Sequence, residues 1–227
     1  MVFPGFAERV ADVRGRIAAA RARGGHGQDV TIIAVTKTHG PEAARAAYEA
    51  GLHDVGENKV QEALRKMAEV DVPVRWHLIG HLQRNKVKSL ERFVLLHSLD
   101  SARLGDAVCA YGLERGRAVD ALIEVNLSGE KTKYGFTPAE LLPEAERLVS
   151  MAGIRVRGVM TMASFTASES ELHRTFAAAR DARQSLMEAG HPAEELSMGM
   201  SNDYEVAVEE GATMVRVGTT LFGARAK

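Results

Sequence analysis

Val119-Asp120-Ala121-Leu122-Ile123-Glu124-Val125-Asn126-Leu127 carries two unlike faces. Successive side chains of a strand alternate in direction, so Ala121, Ile123, Val125 and Leu127 form one apolar face. Glu124 and Asn126 fall on the other. The last apolar run, Ala212-Thr213-Met214-Val215-Arg216-Val217-Gly218-Thr219, divides in the same way. Val215 and Val217 share one face; Met214, Arg216 and Gly218 share the opposite one. In a closed barrel the outer strand face meets helices, so the faces of mixed polarity point inward. Glu124, Asn126 and Arg216 then project toward the end of the barrel where active sites of that architecture sit. Each polar group buried there costs on the order of 1–3 kcal/mol unless it finds a partner. A bound polar ligand is one source of partners.

Short β-type runs alternate with helical ones through the rest of the chain. Strands are predicted at 30–37, 53–55, 75–79, 93–97, 119–127, 154–162, 195–199 and 212–217. Helices are predicted between them at 41–50, 58–69, 101–115, 138–150, 169–189 and 202–210. An amphipathic helix leads: Pro4 suits its first turn, Phe6, Val10, Val13 and Ile17 recur at helical spacing, and Gly24-Gly25 end it. Ser168 with Glu171 has capping-box spacing, and Thr137-Pro138 places proline at a first turn. About eight β/α units after a leading helix predict an α/β fold, a (β/α)8 TIM barrel slightly under typical size. With no linker, low-complexity stretch or charge block, one domain is expected over 1–227. A doubly wound open sheet is the competing architecture. No Gly-x-Gly-x-x-Gly follows the first strand, which weakens a dinucleotide-binding reading.

The 227 residues, 45% hydrophobic and 26% charged, suffice for a substantial core in an ordinary globular protein. A net charge of −1 gives no electrostatic reason to expect nucleic acid or an anionic membrane as partner. The basic residues also lack the aromatic interleaving that stacks bases. Cys109 is the single cysteine, which excludes a disulfide framework and a cysteine-based metal site. No apolar stretch is long enough to span a bilayer. Early arginines hint at a transit peptide, but Glu8 and Asp12 oppose one, and a reducing, cytoplasmic setting is the expectation.

Lys37 ends the apolar run that starts at Thr31. Val35, Ile33 and the barrel interior disfavour an ammonium there by desolvation, leaving more free amine to attack a carbonyl. The alternative is a lysine that reaches solvent or pairs with a carboxylate such as Glu57. Lys59, Lys66, Lys86 and Lys88 fall on predicted helices and read as solvated or helix-end charges.

Ser201 follows an apolar run and precedes a helix, a natural N-cap whose N–H groups attract anions. Gly218-Thr219 follows the next strand, where glycine lets backbone approach an anion closely. Loops after the last two barrel strands are the usual phosphate position in this fold. A plain helix cap at Ser201 is the alternative. Lys37 and these loops together describe a site for an aldehyde carrying a phosphate. His77 and His81, four apart, lie on a strand and its exit rather than on a helix. They read as hydrogen-bonding groups near the mouth, and no metal site is expected. Gly56-Glu57-Asn58 either lines the same mouth or makes a turn and caps the next helix.

Several ordered pieces resemble the pyridoxal phosphate homeostasis protein family, single-domain relatives of the alanine racemase N-terminal barrel. They are Ala34-Val35-Thr36-Lys37-Thr38, Gly56-Glu57-Asn58, the run from Trp76 to Lys86, Gly199-Met200-Ser201-Asn202-Asp203 and the run from Arg216 to Gly223. Together they cover essentially the whole chain. Two departures are small: Thr36 stands where serine is also usual, and His81 fills a variable slot.

The resemblance implies pyridoxal 5′-phosphate as cofactor, with Lys37 forming its internal aldimine. It also implies phosphate contacts from Ser201, Gly218 and Thr219, and Arg216 as the partner of the pyridine nitrogen. Asn58 and His77 are similar to residues near the cofactor. Guanidinium offers no acceptor and leaves a ring nitrogen unprotonated, which makes a poorer electron sink. Racemisation also needs a second base, which a further domain and partner subunit help to supply in the two-domain racemases. No such domain is expected after the last strand. The expectation is a non-catalytic, monomeric binder that limits free aldehyde and hands the cofactor to apo-enzymes. The alternative is a weak racemase or another lysine Schiff-base enzyme, with Tyr134 or Tyr204 as second acid or base.

Overall fold

The computed structural model describes residues 3–130 and 134–223. Its strands are β1 Thr31–Val35, β2 Asp54–Glu57, β3 Arg75–Leu78, β4 Leu95–Leu99, β5 Val119–Glu124, β6 Ile154–Met160, β7 Glu195–Met200 and β8 Met214–Val217. They pair in parallel and in chain order, and β8 returns to β1 with Thr31 opposite Met214 and Ile33 opposite Arg216. That last pairing closes the barrel and excludes the open sheet.

The helices are α1 Phe6–Gly24, α2 Glu42–Glu49, α3 Val60–Glu69, α4 Ala102–Glu114, α5 Pro138–Val149, α6 Glu169–Glu188, α7 Tyr204–Glu209 and α8 Thr219–Phe222. A 3-10 helix, Arg84–Arg92, fills the β3–β4 connection. Both expected helix starts form as capping boxes: Glu171 Oε2 accepts from Ser168 N at 2.7 Å, and Glu140 Oε2 from Thr137 N at 2.8 Å. Pro4 stands outside α1, whose N-cap is Gly5. At the other end of α1, a Cβ on Gly24 would sit 2.3 Å from Glu209 O, so glycine permits the close crossing of α1 over α7.

Alternation sorts the side chains as the sequence suggests. Ala121, Ile123 and Val125 join the large core between strands and helices, as do Val215 and Val217. Ile33, Leu95, Leu122, Met160 and Met214 form a separate cluster inside the barrel. This apolar plug lies among buried polar residues, His77, His97, Ser197 and Arg216, which come from the third positions of β3, β4, β7 and β8. Among the described residues no helix is long and apolar enough to cross a membrane.

Candidate functional site

A cavity of about 540 Å³ opens at the C-terminal ends of the strands, and Lys37, Asn58, Ser201, Arg216, Gly218 and Thr219 all line it. Six of the seven residues expected at a site are thus brought together. The seventh, His77, is not on its wall.

β1 stops at Val35, and Thr36 N continues its ladder by one bond to Gly56 O at 3.1 Å. The chain then turns, with His39 N donating to Thr36 O at 3.1 Å. Half-buried Lys37 sits in this turn, beyond the strand rather than on it. Thr38 has φ 70°, the one positive value at a non-glycine position among the described residues. That conformation is costly for a β-branched residue.

Beneath the turn lies a buried ionic cluster. Lys66 Nζ donates to Thr36 O at 2.7 Å, Glu57 Oε1 at 2.6 Å and Glu62 Oε1 at 2.8 Å. Thr36 Oγ1 donates to the same oxygen of Glu57, and Thr38 N donates to Glu62 Oε1 at 2.6 Å. Lys66 stands in the last turn of α3 but is only 1% exposed, so it is a helix-end charge and not a solvated one. Its ammonium is tolerable there because each of its three N–H groups has an acceptor. Glu57 has Lys66 as a lysine partner.

Arg216 is 4% exposed and forms part of the cavity floor. Nη1 donates to Ser197 O at 2.8 Å and Ser197 Oγ at 2.6 Å, and Nη2 to Thr161 O at 2.9 Å. A guanidinium has five N–H groups, so two remain, on Nε and Nη2. Burial pushes its pKa down to about 10, against the attraction of Asp203 and Glu124, and leaves it a cation at neutral pH.

His77 belongs to a chain below this floor. Its Nε2 is 2.9 Å from Asp54 Oδ1, and its Nδ1 is 2.9 Å from His97 Nε2. His97 Nδ1 lies 2.9 Å from the hydroxyl of Ser197. Register explains this placement: His77 pairs level with Gly56 and Leu95, one layer beneath the mouth residues Asn58 and Ile79.

Ser201 does not cap α7; Asp203 stands at the N-cap position without a side-chain cap bond, and its Oδ1 instead accepts from Met200 N before the helix. Ser201 Oγ instead accepts from Gly218 N at 3.2 Å and Thr220 N at 3.3 Å. With both lone pairs engaged, its O–H is left to donate. Thr219 N, between those two donors, makes no hydrogen bond within the described residues. Hydroxyl, N–H and the nearby Arg216 cation make this end of the cavity suited to an anion.

Acid–base groups occupy the opposite wall. Glu124, 5% exposed, is pushed up to about 7 by burial and the Asp100 charge, against the pull of Arg216 and His81. His81 Nδ1 lies 2.6 Å from Asp100 Oδ2, and its ring stacks on Tyr134 with centroids 4.5 Å apart. Tyr204 is buried under α1 rather than on the cavity wall. Asn126 braces its own loop by donating to Glu130 O at 2.9 Å. Among the described residues no three His, Cys, Asp or Glu side chains are grouped to hold a metal ion.

Sequence reasoning missed Lys66, Glu62, His97, Ser197 and Asp100. Glu62 and Lys66 had a local signal in their i, i+4 spacing. The others had none, because their partners come from distant strands.

A model of the alanine racemase N-terminal domain family matches residues 10–226. The pyridoxal phosphate homeostasis protein of Aquifex aeolicus is 41% identical over 222 residues, which is 96% of this chain and 97% of that protein. Among solved structures, PipY of Synechococcus elongatus without PLP superposes with a TM-score of 0.87 at 39% identity, covering 96% of this chain and 100% of that one. The same protein with PLP bound gives 0.85 at 38% identity, again over 96% and 100%.

Proposed function

The chain belongs to the alanine racemase N-terminal domain family, and on that premise we propose that it binds pyridoxal 5′-phosphate and serves vitamin B6 homeostasis. In this reading it holds the cofactor reversibly, without robust catalysis, and passes it to apo-enzymes. The observation that carries the proposal is one cavity lined by Lys37, by the Ser201 and Gly218–Thr219 loops, and by Arg216.

These groups fit the cofactor's chemistry. When bound, pyridoxal phosphate supplies an aldehyde that condenses reversibly with an amine. Lys37 supplies that amine. The Ser201 hydroxyl and Thr219 N–H hold the phosphate. Arg216 would offer one of its remaining N–H groups to the ring nitrogen, and as a pure donor it would supply no acceptor to keep a proton there. A ring kept unprotonated stabilises carbanions poorly, which favours binding over turnover. The relatives' name, homeostasis protein rather than enzyme, points the same way.

The purified protein should be yellow and should lose its colour with hydroxylamine. A colourless protein that takes up no added cofactor contradicts the proposal. A second reading, a weak acid–base enzyme, has His81 hydrogen-bonded to Asp100 on the cavity wall in its favour. Deuterium exchange at the α-carbon of added amino acids separates the two: saturable, Lys37-dependent exchange supports the enzyme, and none supports the binder.

A further inference from the structure

We infer that Lys66 is a positioning residue for Lys37, fixing the turn that carries it by clamping both flanking residues through one buried ion cluster. The inference rests on the anchoring role proposed for Lys37. Residue 36 is held twice, its carbonyl by Lys66 and its hydroxyl by Glu57. Residue 38 is held by its N–H on Glu62, an oxygen that also accepts from Lys66. Every acceptor that Lys66 uses therefore belongs to, or leads directly to, the turn around Lys37.

Two further observations argue that this cluster serves placement rather than stability. Glu57 Oε2 is buried with no hydrogen-bond partner, although its residue is wholly inaccessible. A cluster selected for stability gains nothing from a stranded oxygen, and buried ion pairs can often be replaced by apolar residues at no cost. Thr38 is held in the left-handed region at φ 70°, a state that persists only where its surroundings over-determine it. The hydrogen bond from Thr38 N to Glu62 is part of that constraint.

The test compares wild type with the double variant Glu57→Leu/Lys66→Met, which removes both charges and keeps the volume apolar. Three readouts are taken: thermal midpoint, affinity for pyridoxamine phosphate, and the rate of borohydride trapping of pyridoxal phosphate on Lys37. Pyridoxamine phosphate keeps ring and phosphate but has no aldehyde, so it reports on the ring and phosphate contacts without the Lys37 condensation. The midpoint and this affinity are expected to stay near wild type. Trapping is expected to slow by about ten- to a hundredfold, the usual effect of a small misplacement of a reacting group. Trapping on Lys37 at the wild-type rate overturns the inference. If wild type itself is not trapped at Lys37, it is the proposed anchor that fails.

Should the double variant not fold, Glu62→Ala provides the second arm, since Glu62 is partly exposed on α3. Faster hydrogen exchange at the Thr38 amide and slower trapping support the clamp. Unchanged values of both overturn it.

Discussion

Arg216 donates from Nη1 to the Ser197 hydroxyl at 2.6 Å, and this bond ends a hydrogen-bonded chain that begins at Asp54. Asp54 can only accept: burial raises its pKa, but hydrogen bonds from His77 and Arg75 outweigh that and hold it at about 2. The other end can only donate. Every member is satisfied when Arg216 donates to Ser197, Ser197 to His97, His97 to His77 and His77 to Asp54. Burial above all, with the Arg216 charge beside it, pushes His97 well below the ordinary imidazole value, so it stays neutral. The direction of the chain therefore puts an N–H on Nε2 of each ring, facing His77 Nδ1 and Asp54 Oδ1 in turn. Nitrogen-15 shifts of the two rings check this, and a protonated Nδ1 on either contradicts the chain's direction.

Glu124 makes stability depend on pH. Its carboxyl titrates near 4.5 in an unfolded chain and at about 7 when folded. Between those values the folded state keeps a proton that the unfolded state has lost, so stability falls as pH rises through the window. One such proton gives a slope of at most about 1.4 kcal/mol per pH unit. Glu124→Gln should flatten it, as read from urea unfolding at pH values spanning the window. Parallel curves for variant and wild type would count against the buried, protonated carboxyl.

Ser201→Ala should discriminate between ligands. The hydroxyl accepts from Gly218 N and Thr220 N and so keeps its proton for an anion. A hydrogen bond to a charged group contributes about 1.5–3 kcal/mol, so pyridoxal phosphate should bind about tenfold more weakly or worse. Pyridoxal, which lacks the phosphate, should be unaffected. Equal losses for both ligands would place Ser201 elsewhere in recognition.

Two glycines on the cavity wall should respond oppositely to alanine. A Cβ at Gly80 would lie 2.4 Å from Asn58 O and 2.8 Å from Asn58 Cα, backbone atoms that cannot step aside. At Gly218 the nearest atom would be Val35 Cβ at 3.4 Å, an ordinary contact. Gly80→Ala should lower stability by about 1–3 kcal/mol and displace Asn58. Gly218→Ala should melt within a degree or two of wild type. Matching thermal midpoints for the two variants would contradict this packing.

Strand alternation made Arg216 and Glu124 legible as inward residues, because the period of two is set by local geometry. The capping box at Ser168 and the helix start at Thr137-Pro138 were legible because they too are local, whereas the box that Thr137 makes with Glu140 went unread. Height within the barrel was not. Strand tilt and stagger decide which layer an inward residue joins, and they arise only when eight strands close. His77 therefore looked like a mouth residue and lies a layer below. Lys66 was misread because a lysine on an amphipathic helix ordinarily reaches water; its burial depends on Thr36 and Glu57, brought together by β1–β2 pairing. Ser201 looked like a cap because a helix follows, and its hydroxyl is claimed instead by the loop after β8.

The amine of Lys37 is the point on which the functional reading turns. Borohydride reduction of the protein loaded with pyridoxal phosphate, followed by peptide mapping, addresses it directly. A single pyridoxyl adduct on Lys37, absent from Lys37→Ala, is the predicted result. Label on another lysine with Lys37 untouched, or no label at all, would contradict the account.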